Sequence, residues 1–363
     1  MAHYEIEIWD KDGKPIADIR PICHNFSWSK TLNGTETVGF TVDLKKFEDI
    51  LKASGYDRDP FGFMEVGRHD IRIKRNGVYI LGTNIYRFTY TTSDPSITMR
   101  VECMGYLNFY KTQYISAIYS DTPQHQILWD VISRCNDKTG GDYGIRQGTH
   151  TGAVVNRDRT YERKEVASLI TQMSNVINGC DFEFTYDKLF NTWDTKGVYR
   201  PDIRLTYPGN IQSFNFTRSI TNVSNYVYGI GSGTGEEAVQ SQAEDTGSED
   251  YLYRREKVAI WNSVGNQETL DEHTQSVLHN TANIIELPHI TLRDNEIDWS
   301  DVTTGDTIFV SLAGFASITH ITGYYRITTI ECDVSENDSE SVTVGFDGLD
   351  IDQIIQNQED NNG

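Results

Sequence analysis

A chain of 363 residues exceeds what one hydrophobic core ordinarily serves, so two or three domains are expected. Its 53 acidic and 32 basic residues leave a formal charge of −21, which disfavours non-specific adhesion to nucleic acid, a mode that needs lysine and arginine to displace counterions. Twenty tyrosines and fifteen phenylalanines speak for β-structure and against disorder.

In the first hundred residues Tyr4, Ile6 and Ile8 alternate with Glu5, Glu7 and Trp9 before Asp12-Gly13 turns the chain, the pattern of a half-buried hairpin arm. Strands are predicted at Asn25–Leu32, Thr37–Asp43, Asp70–Arg75, Val78–Leu81, Ile85–Thr91 and Ile97–Met104, with a short helix or turn over Lys45–Ser54. Asn76-Gly77 is a strong hairpin signal. The period then changes. Thr122 is placed as a helix N-cap with Pro123 at the first helical position, ahead of Ile127, Leu128, Val131 and Ile132. A second helix is expected from Lys164 to Ile177, ended by Gly179. Phe182, Phe184 and Tyr186 then alternate as a strand that pairs with segments in Thr192–Leu205.

From residue 213 the pattern is β again, interrupted by an acidic Gly/Ser/Gln loop at 231–250 and a helix over Thr269–Ile285. Strands at Thr307–Leu312, Tyr324–Val334 and Ser341–Phe346 follow, and Asp352 to Gly363 reads as a frayed polar tail. The stretch NYVYGIGSGTGEEAVQ (225–240) has glycines at Gly229, Gly231, Gly233 and Gly235, but Thr234 or Glu236 stands where a dinucleotide fingerprint needs its third glycine. Two carboxylates beside a phosphate cradle would repel its ligand. The reading is a strand over Asn225–Ile230 in the second β-unit, released by glycine into an acidic loop bearing Glu236, Glu237, Glu244, Asp245, Glu249 and Asp250.

No catalytic, cofactor or metal site is assigned. His273 and His279 lie six apart, on different faces of their helix, and no H-E-x-x-H or Cys/His cluster occurs. Asp294, Glu296, Asp298 and Asp301 resemble an oxygen-rich calcium loop, but Trp299 stands where the loop glycine belongs. No G-x-S-x-G occurs, and Cys103 and Cys180 read as packing residues. The five cysteines (Cys23, Cys103, Cys135, Cys180, Cys332) are scattered without C-x-x-C, as reduced thiols in a cytosol-folded chain. The opening MAHYEIEIWDKDGK has no apolar signal region and no run has the length of a membrane span, so no membrane insertion is expected.

Two stretches align without gaps: Asn25–Val42 and Ser213–Ile230, with Phe26 against Phe214, Trp28 against Phe216, Phe40 against Tyr228 and Val42 against Ile230. ILGTNIYRFTY (80–90) resembles ITGYYRITTIE (321–331), and ITMRVECMG (97–105) resembles VTVGFDG (342–348). The expected fold is therefore mainly β with an α+β insert. A first barrel spans 1–112, the inserted α+β domain 113–212, and a second barrel 213–352, carrying the acidic loop (231–250) and a helical insertion (about 265–286); a polar tail fills 353–363.

The hairpin YEIEIWDKDGKPI, the pair NFSWSKTLNGTETVGFTV, the run TYERKEVASLITQMSNVINGCDFEFTYD, the glycine stretch and TGDTIFVSLAG together resemble the hub proteins at the tip of bacteriophage tails. That group takes in the N-terminal hub region of siphophage tail-associated proteins, the central baseplate hub of contractile phages and the relatives in secretion-system spikes. The likeness covers most of residues 4–350. It implies two tube-type barrels per chain and a homotrimer forming a pseudo-six-fold ring, which adapts the six-fold tail tube to a three-fold spike or fibre. It implies further a structural, non-enzymatic protein without cofactors, at the distal end of the virion tail, assembled in the host cytoplasm. The implied partners are a tail tube or distal tail ring protein, a spike, tip or central fibre protein, and a tape measure protein, with viral DNA crossing the lumen without specific binding. The charge balance adds a carboxylate-lined lumen as an expectation. A glycan-processing enzyme with a carboxylate pair, or a carbohydrate-binding β module using Trp28, Trp129, Trp193, Trp261 or Trp299, is the alternative.

Overall fold

The computed structural model describes residues 2–53, 64–93, 96–176, 178–261, 264–282, 285–293, 299, 302–313 and 321–346. The first β-unit contains β1 (Tyr4–Trp9), β2 (Pro15–Asp18), β3 (Cys23–Thr31), β4 (Thr37–Asp43), α1 (Leu44–Ala53), β5 (Asp70–Arg75), β6 (Val78–Ser93) and β7 (Ser96–Gly105). The alternation read in β1 holds, with Tyr4, Ile6 and Ile8 fully buried. Asn76 and Gly77 both have left-handed backbone, the mirror-image turn whose twist suits a tight hairpin between β5 and β6. Where two strands were expected over 78–91, one long strand runs through and changes partner near Asn84, from β5 to β7.

The insert holds β8 (Tyr114–Pro123), α2 (Gln124–Asn136), β9 (Arg146–Thr151), β10 (Asn156–Glu165), α3 (Val166–Ser174), β11 (Asp181–Phe184) and β12 (Leu189–Trp193). Its helices pack Ile127, Leu128, Val131, Leu169 and Ile170 into a core of their own with Phe182, Phe184 and Phe190. Pro123, not Thr122, occupies the N-cap of α2, and the Thr122 hydroxyl donates to the Ser120 carbonyl instead. The second helix is shorter than its periodicity suggested, because Lys164 belongs to β10 and pairs with Ile115 of β8.

The remainder comprises β13 (Tyr199–Tyr207), β14 (Ile211–Ser219), β15 (Tyr226–Ile230), β16 (Gln240–Glu244), α4 (Thr246–Leu252), β17 (Glu256–Ile260), α5 (Gln267–Thr281), β18 (Ile285–Leu292), β19 (Thr307–Leu312), β20 (Thr322–Val334) and β21 (Glu340–Phe346). One 13-stranded sheet runs β14-β18-β21-β20-β3-β4-β7-β6-β5-β1-β2, with β19 beside β20 and β13 beside β19. The order β14-β18-β21-β20-β19 in its second half repeats the order β3-β4-β7-β6-β5 in its first, strand for strand in chain sequence as well. Both halves share one apolar core, from Tyr4, Phe26 and Phe40 to Val344 and Phe346.

Three sequence readings are corrected here. Phe40 and Tyr228 are not counterparts: β18 occupies the place of β4, and β15 lies in a separate three-stranded sheet, β16-β15-β17, intercalated between β14 and β18. The 231–250 stretch is not only a loop, since β16 and most of α4 fall in it; α4 is capped by the Asp245 carboxylate accepting from Ser248 N–H. Positive φ at Gly233 and Gly235 turns the chain between β15 and β16. β13, counted with the insert, pairs with β19 in the large sheet. The readings on Ile177, Asp294, Glu296, Asp298, Asp301 and the tail from 352 fall outside the described residues.

Candidate functional site

Alternation divides the large sheet into an apolar face and a polar one. Phe26 and Trp28, Val38 and Phe40, Met99 and Val101, and Ile330 and Cys332 turn into the core. The opposite face presents Ser27 and Ser29 of β3, Thr41 and Asp43 of β4, Arg100 and Glu102 of β7, Thr89 and Thr91 of β6, and Glu331 and Asp333 of β20. It crosses the joint between the two halves without a break, because β20 pairs with β3 from Thr329↔Thr31 to Val334↔Phe26. Hydroxyl pairs bridge neighbouring strands there: Ser29 with Thr37 at 2.7 Å and Thr291 with Thr343 at 3.1 Å. Among the residues just named, the carboxylates Asp43, Glu102, Glu331 and Asp333 outnumber the guanidinium of Arg100, and Arg87 beside them is paired with Glu102; farther along the same face Lys74 is held by Glu5 and Glu7, and Arg326 by Asp181.

Two buried charge networks hold this surface in place. At the joint between halves, Glu340 of β21 accepts from Arg75 of β5 at 2.7 and 2.8 Å, and the Tyr4 hydroxyl donates to the same carboxylate. Burial first, then Cys332 and Glu340, pushes the Tyr4 phenol far up, so it stays a donor. Where the insert meets both halves, Asp181 accepts from Asn33 of the β3–β4 turn, from the Lys196 amide and from Arg326 of β20. Glu183 beside it resists the effect of burial because Lys196 (3.1 Å) and Lys30 (3.8 Å) hold its carboxyl below the ordinary range. Glu36, whose Oε2 is buried without a hydrogen-bond partner, is raised to about 7, chiefly by burial. Lys188 completes the contact at 2.7 Å from Asp70.

A cleft of about 550 Å³ opens at the joint, lined by Asn25, Ser27, Arg100, Asp333, Ser335 and Glu340 among others. Of its two carboxylates, Glu340 is held by Arg75 and Tyr4, which leaves no free acid to partner Asp333. All five cysteines are free and buried, and burial raises every thiol, Cys180 and Cys332 to about 12. Among the described residues no group of His, Cys, Asp and Glu is placed to hold a metal ion. His273 is half-buried with its ring stacked on Trp261, not on a solvated face, and burial lowers its pKa. Trp28 and Trp299 are buried, and Trp129 packs against the insert core. No helix among the described residues is long and apolar enough to cross a membrane.

No protein-family model matches the sequence, and no curated protein matches it. Solved structures do match in fold. A tail protein from Neisseria meningitidis MC58 superposes with a TM-score of 0.67 over 95% of this chain and 96% of its own, at 11% identity. The 43 kDa tail protein of prophage MuSo2 from Shewanella oneidensis gives 0.64 over 95% and 98%, at 12% identity. An E. coli type VI secretion component, described as structurally similar to the T4 tail proteins gp27 and gp5, gives 0.52 over 90% and 74%, at 10% identity. The fold is thus one shared by phage tail proteins and a secretion-system component over nearly the whole chain.

Proposed function

We propose that this chain is a structural, non-enzymatic hub at the distal end of a bacteriophage tail, assembled in the host cytoplasm as a homotrimer. Three chains with two repeats each present six similar units in a pseudo-six-fold ring, a geometry that can meet a six-fold tube on one side and a three-fold spike or fibre on the other. The observation that carries this reading is the repeated five-strand order within one sheet. The tail proteins and the secretion component that share the fold support it. Its neighbours would be a tail tube or distal tail ring protein, a spike, tip or central fibre protein, and a tape measure protein.

In this assembly the polar sheet face lines the channel through which DNA leaves. Its character refines the expectation of a carboxylate wall: hydroxyls dominate and the acidic excess is small, so most of the −21 lies elsewhere. Such a wall offers phosphates few cations to pair with. Light scattering on the purified chain, with electron microscopy of the particles, tests the proposal. A trimeric mass and six-lobed rings are expected. A monomer with hydrolytic activity on cell-wall glycan would replace this reading with the enzymatic one.

A further inference from the structure

We infer that the open edge of β6, from about residue 87 to 92, pairs antiparallel with the outer edge of β14 of a neighbouring copy of this chain, with Thr91 opposite Asn215. The inference rests on the ring reading and names the contact that would close it. Among the described residues the two halves are joined by one strand pairing, β20 with β3. The second part of β20 leaves β19, extends past it and receives β3 on that same side. β6 is built alike: it pairs with β5 up to Asn84, then runs on to Ser93 beside β7, and among the described residues no strand lies on its other side over that stretch. Among the described residues β14, the counterpart of β3, ends the sheet with β18 as its one strand neighbour. A sheet that ends in an extended edge and a receptive edge of the kinds it has already joined internally is satisfied by a second copy of itself.

The register follows from rows across the strands. In the second half Ile330, Val344, Ile290 and Phe214 stand side by side. In the first half the equivalent row is Phe88, Val101 and Phe40, with Phe26 beside Phe40 across the β3 bulge. Carrying the internal pair Asp333↔Ser27 through these rows gives Thr91↔Asn215. The backbone agrees. Leu32 N–H donates to the Thr328 carbonyl, so Ser27↔Asp333 is a non-hydrogen-bonded pair, flanked by pairs that exchange bonds. Gly105 N–H donates to Glu36, which fixes the alternation across β4 and β7 and turns the backbone of 87, 89 and 91 toward β7, and that of 88, 90 and 92 toward the open side. Thr91 and Asn215 therefore form a non-hydrogen-bonded pair, both exposed, with Cα atoms about 4.5 Å apart, inside disulfide range.

The test uses the full chain carrying Thr91→Cys and Asn215→Cys, oxidised with copper phenanthroline and run on non-reducing gels beside light scattering of the same samples. Expected is a reducible ladder that stops at three chains, absent from either single variant and at least tenfold slower with Thr89→Cys in place of Thr91→Cys. A trimer that fails to cross-link, or that links faster through position 89, overturns the pairing and leaves the ring standing. A monomer without cross-links overturns both. Hydrogen exchange on the unmodified protein guards against a misfolded variant: peptides covering 86–93 and 211–219 should be protected like β3 and β20, and free exchange of either in a trimeric sample counts against the contact.

Discussion

Glu36 sits beneath the backbone of Gly105, its carboxylate close to Lys30 and Glu183 yet lacking a hydrogen bond of its own at Oε2. Because the folded protein holds the proton more tightly than the unfolded chain does, Glu36 favours folding most below its ordinary value of 4.5, and that contribution is lost as pH rises through about 7. Replacement by glutamine removes the dependence. Relative to the parent, Glu36→Gln should gain about 3 kcal/mol of stability between pH 4.5 and pH 8, read from urea denaturation at each pH. Parallel profiles would show that the carboxylate stays charged. The Arg75–Glu340 pair behaves differently, since each charge already has its partner. Glu340→Ala removes the carboxylate to which Arg75, only 6% exposed, and the Tyr4 hydroxyl both donate, so a loss of about 3–5 kcal/mol is expected. Replacing Arg75 with Met and Glu340 with Leu together should restore most of it, and a double variant as unstable as the single one would refute the account. None of these partnerships was legible in the sequence, for Asp181 meets Arg326 across 145 positions and Arg75 meets Glu340 across 265. A carboxylate's partner is set by which strands meet, and local pattern does not carry that.

At the scale of elements, local pattern carried a great deal. β1, β4, β5 and β19 coincide with their predicted bounds, because alternation over five or more residues bounded by turn residues has one easy solution. Where two principles competed, the reading slipped. Val166–Ser174 is helical as its 3.6 period says, but the residues before it were already engaged in the β8–β10 ladder. β15 alternates like any strand of the large sheet, and nothing in YVYGI says that its partners are β16 and β17, because pairing depends on chain crossings that alternation does not record. Gly82 shows how an element can be tuned for a neighbour. A Cβ there would lie 2.7 Å from the Tyr186 backbone, so β6 accepts the insert only because the position is bare. Gly82→Ala should destabilise by about 1–3 kcal/mol and loosen the insert from the sheet. Limited proteolysis between β7 and β8, compared with the parent, would reveal it; unchanged cleavage and unchanged melting would mean that the contact yields at no cost.

For the whole molecule, the repeated strand order was visible in part. The pairs Phe26–Phe214 and Trp28–Phe216 lie on strands in equivalent places, and the likeness failed where residues 220–284 interrupt the second copy. The polar face also follows from alternation once the sheet is known, and its chemistry leads to a test of where DNA runs. Glu331 and Asp333 are exposed on that face, whereas α1 packs Phe47 and Leu51 on the apolar side and points Glu48 and Asp49 to solvent. Glu331→Lys with Asp333→Lys, and Glu48→Lys with Asp49→Lys, therefore add the same charge to opposite sides of one sheet. If the polar face lines a closed channel, three chains converge the first pair of lysines on a narrow lumen, where overlapping potentials add. The second pair stays dispersed on the rim. Fluorescence anisotropy with a short duplex should then find negligible binding by the parent, and salt-steep binding by the Glu331/Asp333 variant, at least tenfold tighter than by the Glu48/Asp49 variant. Equal affinities from two trimeric variants would mean that DNA does not reach the polar face in preference to the outside, and that the face is not the wall of a channel.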